Sequence, residues 1–564
     1  MTKRKRTLPV RAPLRQKMRI SADADVGSVL LDKLTCQESI ISLRSEYATN
    51  QPYEHVSFDP IGDPIKMRLI VEELKSLKAT YKETDLFKLY QTIDLANLTS
   101  RDPIAKNLKE LLSLRDSIYS KKFRKFIPEV TGCGELTDRV DCAANAYVKG
   151  SHLLCHDDII GNRCISYIIY LTDPDDPWLH EDGGLLELYP LDCTENKKQE
   201  CARGIPATIP TGFIIPKFNT MAIFKVEPGR SYHAVQEVFV DDKPRLSIQG
   251  WYHAPLPPVG SDMASLKQVM KKGELVSSFS ALSAQRLEDR FGGLHGKSYL
   301  SEYVNPMYLT ADSICRINKQ FCKDSSIQLH NFIRDDLCTG LIDLMNIVDE
   351  HDQLGVGRRP SSYSVGVGDG WVDFGPPHIR RHLNYQHTAA TCSGPAPAAS
   401  LGRLLFKIYD ELFRSPYFAE YLCELTTLRP VKERTELRRF RPGLDYTVAY
   451  YGGMCSESRL DATLCFVNCA GEEERELWSC GEVGGFECYM SADVASGGED
   501  EPRAAEVYRA DPDAEDELLS VTPFNNVLNL VMRDPGTMRF VKYLSTSAPG
   551  SRWDVSVEYE LEES

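Results

Sequence analysis

Two fragments of the sequence carry residues that could hold a metal ion. His156 and Asp158 form an H-x-D motif, and His233 follows much later in the chain. Two imidazoles and one carboxylate are the ligands of non-haem Fe(II) oxygenases, which keep metal positions open for a co-substrate and O₂. Residues two apart on an extended strand point to the same face, which would explain the motif's spacing. Asp157 would then point away as a surface carboxylate.

A third fragment could bind the co-substrate. Arg245 follows His233 by twelve residues, and strand alternation places Arg245 and Ser247 on one face. An arginine and a serine side by side can bind one carboxylate by charge-assisted hydrogen bonds. Tyr170, at the end of an apolar segment, could add its hydroxyl, although a core tyrosine is the simpler interpretation. Together with the metal candidates, these residues predict a dioxygenase that depends on Fe(II) and 2-oxoglutarate.

Two other interpretations of the same residues remain open. The histidines could be satisfied within a core, and Arg245 could be a surface cation. Zinc hydrolases use a similar set of two histidines and a carboxylate, but a zinc hydrolase leaves Arg245 and Ser247 without a role. In either metal site the imidazoles must be neutral, so we expect metal binding to weaken in acid.

The elements around these residues predict a mainly β domain. Several short β-branched and aromatic segments separated by turns favour an antiparallel barrel or jelly roll, with strands at Ile165–Thr172, Leu185–Tyr189, Met221–Val226, and Val238–Val240 paired with Arg245–Tyr252. Upstream, helical periodicity over Ile65–Lys82 and Pro103–Tyr119 predicts support helices that cover one face of the sheet.

Size and charge limit the remaining choices. A chain of 564 residues should contain more than one domain. The net charge of −15 argues against direct nucleic-acid binding, because phosphate-binding surfaces are basic. The sequence offers no apolar run that could span a membrane and no secretory signal, so the 17 cysteines are expected to be reduced. The basic residues 3–6 could act in nuclear import or belong to a disordered tail.

The C-terminal half contains a faint repeat of the first sheet. A constant shift aligns Arg245 with Arg552, Asn219 with Asn526, and Pro228-Gly229 with Pro535-Gly536. The same shift places Phe540 at the position of His233, and no histidine follows His387. A second copy could therefore not hold iron. We also predict helices over 262–290, 326–349 and 401–428, a loop over 355–400, and a disordered acidic insert over 499–517.

Longer motifs add a resemblance to a known family. The segments LLCHDD (153–158), YIIYLTDP (167–174), GGLLELY (183–189) and KPRLSIQGWYH (243–253) resemble the eukaryotic prolyl 3-hydroxylases of a small-subunit ribosomal protein. The segments PYEH (52–55) and DLFKLYQTIDL (85–95) are similar to that family as well. The resemblance implies an α+β, mainly β architecture of two tandem double-stranded β-helix (jelly-roll) domains with flanking support helices, of which only the first is catalytic.

The resemblance also implies the roles of individual residues. His156, Asp158 and His233 would bind Fe(II), while Arg245 and Tyr170 would bind 2-oxoglutarate, with Ser247 beside them and Leu153 lining the site. The co-substrates would be 2-oxoglutarate and O₂, with ascorbate as reductant. The implied reaction is C3 hydroxylation of one prolyl residue, linked to translation and to the oxygen response. The implied location is the nucleus and the cytoplasm.

These observations predict a domain plan. We expect a disordered basic tail at 1–20, a catalytic domain at 21–260, a helical linker at 261–325, and a second, non-catalytic β-helix domain at 326–564 with flexible inserts near 355–400 and 493–518. An alternative function is an oxygen-responsive regulatory scaffold that binds a regulatory protein through the C-terminal domain. Neither function requires a nucleic acid or a membrane as partner.

Overall fold

The computed structural model describes residues 29–99, 101–192, 204–260, 278–282, 294–388, 394–450, 455–491 and 517–562. These residues form two compact units, an N-terminal unit up to residue 260 and a C-terminal unit from residue 278 onward. None of the described helices is long and apolar enough to cross a membrane. The predicted tail at 1–20, most of the helix at 262–290 and most of the insert at 493–518 lie outside the described residues.

The described residues of the N-terminal unit form four α-helices: α1 (Gln37–Thr49), α2 (Pro64–Leu74), α3 (Lys109–Ile118) and α4 (Lys121–Thr131). Helix α2 begins sharply because the Asp63 carboxylate caps two backbone N–H groups and Pro64 occupies the first helical turn. The predicted helix over Ile65–Lys82 was too long, since the chain turns after Leu74 and Thr80–Glu83 joins the sheet. The second prediction, Pro103–Tyr119, is a 3₁₀ helix followed by α3.

In the part of the N-terminal unit that the structure describes, the sheet has eleven antiparallel strands. They run in the order β1-β9-β6-β11-β4-β3-β5-β10-β7-β8, and β2 pairs with β3. The strand bounds are β1 His55–Phe58, β2 Thr80–Glu83, β3 Phe87–Gln91, β4 Cys142–Tyr147, β5 His152–His156, β6 Arg163–Tyr170, β7 Leu186–Leu188, β8 Gly212–Ile214, β9 Thr220–Lys225, β10 His233–Val235 and β11 Arg245–His253.

This sheet is the predicted jelly-roll type of fold, but one predicted pairing is wrong. Strand β11 does not pair with Val238–Val240, because its two edges are hydrogen-bonded to β4 and β6. Val238 instead forms an isolated bridge with Gly183. As a result β11, which carries Arg245 and Ser247, is a central strand, and both of these side chains are buried.

The described helices of the C-terminal unit are α5 (Leu294–Leu300), α6 (Ala311–Asp324), α7 (Asp335–His351), α8 (Pro397–Lys407), α9 (Pro416–Thr426) and α10 (Glu472–Ser479). Its strands are β12 Ser280–Ala281, β13 Ser326–His330, β14 Trp371–Phe374, β15 Arg380–Tyr385, β16 Pro430–Phe440, β17 Tyr446–Thr447, β18 Arg459–Phe466, β19 Glu487–Ser491, β20 Glu517–Val521, β21 Val527–Arg533, β22 Thr537–Val541 and β23 Arg552–Leu561. The main sheet follows the order β13-β21-β18-β23-β16-β15-β14, and a smaller one has the order β20-β19-β22.

Two predictions for the C-terminal unit were wrong in part. The segment 326–349 begins as strand β13 before helix α7, because Ser326–His330 pairs with β21. The predicted loop over 355–400 contains strands β14 and β15 and the start of α8. The segment was predicted to be a loop because its two ends are rich in glycine and proline, although β-forming residues lie between these ends. The predicted helical segment 401–428 is confirmed by α8, a π-helical turn at Ile408–Phe413, and α9.

Strand register supports the faint repeat. The order β9-β6-β11-β4-β3 of the first sheet corresponds to β21-β18-β23-β16-β15 of the second. Asn219 and Asn526 both have a left-handed φ, 62° and 54°. The side-chain amide of each bonds the backbone N–H and C=O of a single residue, Gly62 and Ile333 respectively. The two units therefore share local structure as well as strand order, and the domain boundaries remain a prediction.

Candidate active site

Strand pairing brings the two distant histidines together. His156 ends β5 and His233 begins β10, and the two residues lie opposite each other in this antiparallel pair. Their ring centroids are 4.3 Å apart. Phe224 packs edge-on against the His233 ring, and His233 itself is 1% exposed. The pairing of β5 with β10 therefore brings together two histidines that lie far apart in the sequence.

Asp158 lies beside the two histidines, but it is positioned by a turn and not, as predicted, by the strand. Strand β5 ends at His156, and Asp158 has a left-handed φ of 61°. Its Oδ1 atom lies 3.2 Å from His156 Nε2, and its Oδ2 atom lies 3.4 Å from His233 Nε2. One ligand atom from each of the three residues lies within 4.8 Å of the others. The H-x-D spacing therefore reflects a turn at the strand end rather than two residues on one strand face.

Backbone carbonyls fix the orientation of both imidazoles. His156 Nδ1 lies 2.8 Å from Leu154 O, and His233 Nδ1 lies 2.9 Å from Ser231 O. A carbonyl can only accept a hydrogen bond, so each Nδ1 carries the proton and each Nε2 presents its lone pair to the centre. This is the tautomer that a metal ligand requires.

The carboxylate of the triad is held in its charged form. Burial disfavours the charge of Asp158, but His156 and His233, when protonated, outweigh burial and hold the pKa of Asp158 well below its ordinary range. Trp251 Nε1 also donates a hydrogen bond of 3.1 Å to Asp158 Oδ2. Two neutral imidazoles and one ionised carboxylate, aimed at one point, match the donor set of Fe(II).

The predicted 2-oxoglutarate-binding residues surround a second buried point on the same sheet. Arg245 is 1% exposed, and its Nε donates a hydrogen bond of 2.6 Å to Gly184 O. The guanidinium carbon of Arg245 lies 4.8 Å from the Tyr147 ring centroid and 5.2 Å from that of Tyr170. The cation is therefore fixed in depth and direction between two aromatic rings.

Buried polar atoms in this place fit a carboxylate ligand. Five of them have no hydrogen-bond partner among the described residues: Arg245 Nη2, Tyr147 Oη, Tyr170 Oη, Ser247 Oγ and Thr220 Oγ1. Burying such groups without partners is unfavourable, and an incoming carboxylate would satisfy them. Burial raises the pKa of both tyrosine hydroxyls to about 12, although Arg245 opposes the shift, so both are donors at neutral pH.

Sequence reasoning missed three residues of the site. Tyr147 lies directly opposite Arg245 in the β4–β11 pair, and Thr220 lies opposite Tyr170 in the β6–β9 pair. Trp251 shares the face of Arg245 on β11, because it lies six positions, an even number, further along the strand. The alternation along β11 could have revealed Trp251, but Tyr147 and Thr220 depend on strand register.

Apolar residues and one glycine complete the pocket. Leu153, predicted to line the site, is 8% exposed and belongs to the apolar cluster that includes Tyr147 and Tyr170. Gly184 has a φ of 64°, and a Cβ atom there would lie 2.8 Å from Arg245 Cδ. A glycine at this position lets the backbone carbonyl approach the guanidinium. Asp157, predicted to be a surface carboxylate, is instead half-buried and accepts a hydrogen bond from Gly229 N.

Comparisons with known proteins agree with this geometry. A family model described as the 2OG-Fe(II) oxygenase superfamily matches residues 142–253, which contain the triad and the Arg245 pocket. A second, described as the oxoglutarate and iron-dependent oxygenase degradation C-terminal domain, matches residues 295–564. Prolyl 3,4-dihydroxylase OGFOD1 of Ostreococcus tauri is 39% identical over 90% of this chain and 95% of its own length. The chain belongs to the OGFOD1 prolyl 3-hydroxylase family.

More distant relatives cover much the same length. Prolyl 3-hydroxylase OGFOD1 of Xenopus laevis is 26% identical over 92% of this chain and 90% of its own length. Prolyl 3-hydroxylase sudestada1 of Drosophila melanogaster is 27% identical over 87% of this chain and 79% of its own length. As a member of the OGFOD1 family, the chain is a dioxygenase that uses Fe(II), 2-oxoglutarate and O₂.

One group of residues in the site would bind the metal, and a second group would bind the co-substrate. When bound, Fe(II) supplies the redox chemistry that couples decarboxylation of 2-oxoglutarate to oxidation of a C–H bond. His156, Asp158 and His233 would hold the metal through two nitrogen atoms and one oxygen atom. Arg245, Tyr170 and Ser247 would bind the far carboxylate of the co-substrate and so orient its 2-oxo acid end. The apolar walls exclude water from the reacting atoms.

Proposed function

We propose that this chain hydroxylates C3 of a prolyl residue in a small-subunit ribosomal protein. The observation that carries the proposal is one arrangement in the N-terminal unit. A metal-binding triad lies on the same sheet as a buried arginine, and the hydroxyls around this arginine have no hydrogen-bond partner within the described part of the chain. Relatives with prolyl hydroxylase names span nearly the whole chain, which supports a prolyl substrate. Because the substrate is a protein segment, it must reach the metal through an open side of the sheet.

The test is a turnover assay with the full chain. Purified enzyme, Fe(II), 2-oxoglutarate, ascorbate and proline-containing peptides from small-subunit ribosomal proteins should give succinate and a peptide heavier by one oxygen atom. The His156→Ala variant should give neither product, because the metal would lose one of its imidazoles. A matched control is His351→Ala, since the His351 side chain is 85% exposed and lies in the C-terminal unit. Equal turnover by the wild type and His156→Ala would reject the assignment of the site.

The number of oxygen atoms added is an outcome of the same assay. The relative from Ostreococcus tauri is named a 3,4-dihydroxylase, whereas those from Xenopus and Drosophila are named 3-hydroxylases. Fragmentation of the product peptide distinguishes one hydroxyl at C3 from two hydroxyls on the same ring. A single hydroxyl at C4 would contradict the proposal.

A zinc hydrolase is tested by metal analysis. Zinc could bind the same three ligands, but it would not explain the buried Arg245 and the hydroxyls around it. Metal-free chain reloaded with Fe(II) should regain peptide oxidation, and chain reloaded with zinc should not. Hydrolysis by the zinc form without any need for 2-oxoglutarate would favour the alternative.

We infer a nuclear and cytoplasmic location from the basic residues 3–6 and from the family. A tagged chain with Lys3, Arg4, Lys5 and Arg6 changed to alanine should shift toward the cytoplasm. An unchanged distribution would assign nuclear entry to another part of the chain.

We also propose that the C-terminal unit binds a regulatory protein partner. The support is the matching family model, whose description includes degradation. A partner captured on the intact chain should be retained by His156→Ala if the C-terminal unit binds it. Loss of the partner in that variant would place its binding at the catalytic site instead.

A further inference from the structure

Two cysteines of the N-terminal unit lie in contact with each other. Cys133 follows Gly132, the left-handed residue that ends helix α4, and Cys164 is the second residue of strand β6. The Cys164 Sγ atom lies 3.9 Å from the Cys133 backbone oxygen, and the two thiol side chains share a hydrogen bond. Both are free thiols of intermediate exposure. The sequence alone did not predict this pair, because the two residues are 31 positions apart.

The surroundings make the two thiols chemically different. The hydrogen bond with Cys164 lowers the pKa of Cys133, and the nearby Lys225 ammonium group acts in the same direction, although burial opposes both. The same hydrogen bond, together with burial, raises the pKa of Cys164. At neutral pH, a larger fraction of Cys133 than of Cys164 is therefore thiolate. Because the thiolate is the nucleophilic form of cysteine, Cys133 should react first and Cys164 second.

We propose that Cys133 and Cys164 form a site of reversible oxidation, at which hydrogen peroxide joins the two thiols in a disulfide. Cysteines that sense oxidants typically are accessible, have a low pKa and lie beside a second cysteine that completes the disulfide. The two thiols meet this description within one contact. The proposal does not depend on the hydroxylase function, because neither cysteine belongs to the metal-binding triad or to the Arg245 pocket.

The oxidation proceeds in two balanced steps. The Cys133 thiolate attacks one oxygen of the peroxide, the O–O bond breaks, and the leaving hydroxide takes up a proton to give water and a Cys133 sulfenic acid. The Cys164 thiol then attacks the sulfenic sulfur. The S–S bond forms, the S–OH bond breaks, and the departing hydroxide takes the thiol proton to give a second water. The two sulfur atoms lose two electrons in total, and the peroxide gains them.

The disulfide would close a loop that carries two of the three metal-binding residues. The loop runs from Cys133 to Cys164 and contains β4, β5, His156 and Asp158. A cross-link stabilises a protein mainly because it reduces the conformational freedom of the unfolded chain. Oxidation should therefore raise the Tm of the N-terminal unit. The segment that holds the metal would unfold less readily after exposure to peroxide than before it.

Peptide mapping of the oxidised full chain tests the proposal. The chain is loaded with Mn²⁺ in place of Fe(II), so that iron does not react with the oxidant, and is treated with rising concentrations of hydrogen peroxide. We expect a linked peptide that contains Cys133 and Cys164 and that dithiothreitol separates. The link should form at a lower peroxide concentration than oxidation of Cys315, an exposed thiol on α6. Oxidation of Cys133 to a sulfinic acid without the link, or prior oxidation of Cys315, would overturn the proposal.

Single variants separate the cross-link from other effects of peroxide. In the wild type and in the control Cys315→Ser, peroxide should raise the Tm of the N-terminal unit by about 5 °C or more, and dithiothreitol should reverse the rise. In Cys133→Ser the rise should be absent, because that variant has no thiol to oxidise at this position. Cys164→Ala takes its place if Cys133→Ser does not fold. An equal rise in the wild type and in the variant that lacks one thiol of the pair would contradict the proposal.

Discussion

Trp251 holds the metal-binding carboxylate of Asp158 from behind. The indole Nε1 donates to Asp158 Oδ2 at 3.1 Å, and the Arg163 guanidinium lies 3.4 Å from the centroid of the same ring. One oxygen of the carboxylate is thus directed by Trp251, while the other lies 3.2 Å from His156 Nε2. A left-handed residue beyond a strand end is otherwise poorly restrained, so we infer that the indole fixes the direction of this ligand.

Replacing Trp251 by phenylalanine should weaken metal binding without unfolding the chain. The phenyl ring keeps the stacking surface for Arg163 but cannot donate to Asp158. Outer-shell partners of metal ligands typically contribute about 10- to 100-fold in affinity or activity. Calorimetric titration with Mn²⁺ as a stand-in for Fe(II) measures the change. An unchanged affinity in a folded variant would show that Asp158 is oriented by the backbone alone.

The Tyr170→Phe variant should raise the KM for 2-oxoglutarate by about tenfold, since a hydrogen bond to a charged group is lost. The stability of the chain without co-substrate should stay the same or increase, because the variant removes a buried hydroxyl with no hydrogen-bond partner among the described residues. Steady-state kinetics and thermal melting measure the two effects. Tyr81→Phe, on the exposed strand β2, is the matched control. A less stable Tyr170→Phe chain with normal KM would indicate a purely structural tyrosine.

Buried His152 should make the N-terminal unit sensitive to acid. Burial lowers the pKa of this imidazole to about 4, although its hydrogen bond to Gly150 O opposes the shift. In the unfolded chain, His152 binds a proton as the pH falls below about 6.5, whereas in the folded chain it stays neutral until about pH 4. The free energy of unfolding therefore falls as the pH drops from 6.5 to 4. This one group should account for roughly 3 kcal/mol at pH 4.

The His152→Asn variant isolates this contribution. Urea unfolding of the metal-free chain at pH 7 and pH 4 gives the pH dependence of the free energy of unfolding. The variant should lose less stability than the wild type over this range. Parallel losses in the two proteins would assign the acid sensitivity to other groups.

Removing the Asp554 carboxylate should destabilise the C-terminal unit strongly. Asp554 is 0% exposed and pairs with both Arg438 and Arg552. Breaking a buried ion pair by removing one partner typically costs about 3–5 kcal/mol, because the remaining charge is left without compensation. The free energy of unfolding of Asp554→Asn measures the loss. Asp312→Asn, whose side chain is 80% exposed, should cause no measurable loss. Similar stabilities of the two variants would contradict the role of this ion pair.

The chemistry of the site was predictable from residue types, whereas its geometry was not. Two histidines, an aspartate and an arginine indicate iron and a 2-oxo acid wherever the chain places them. Asp158 has a left-handed φ in the turn after β5, and its carboxylate accepts a hydrogen bond from Trp251; neither feature follows from the H-x-D spacing. Tyr147 and Thr220 could not be found because a cross-strand neighbour is defined only by register.

For the fold, too, some elements were predictable from the sequence and others were not. Short β-branched and aromatic segments bounded by turns correctly predicted β6, β9 and β11 in the N-terminal unit, because such residues favour buried strands. In the C-terminal unit, β15 contains Arg380, Arg381 and His382, all buried. A prediction based on hydrophobic pattern misses such a strand, because it takes charged residues to be exposed. The faint repeat was detectable because Asn526, Gly536 and Arg552 keep backbone and pairing roles that their counterparts also have.

The internal carboxylate at Asp554 makes the two halves of the chain respond differently to metabolism. The N-terminal unit keeps hydroxyls and a guanidinium atom that have no hydrogen-bond partner among the described residues and that a carboxylate of 2-oxoglutarate would satisfy, so its resistance to unfolding should follow the supply of 2-oxoglutarate. In the C-terminal unit, Arg552 and Asp554 occupy the strand positions of Arg245 and Ser247, so this unit carries its own carboxylate at the matching position and needs no such supply. Starvation for that metabolite would therefore loosen the catalytic half while leaving the other half intact.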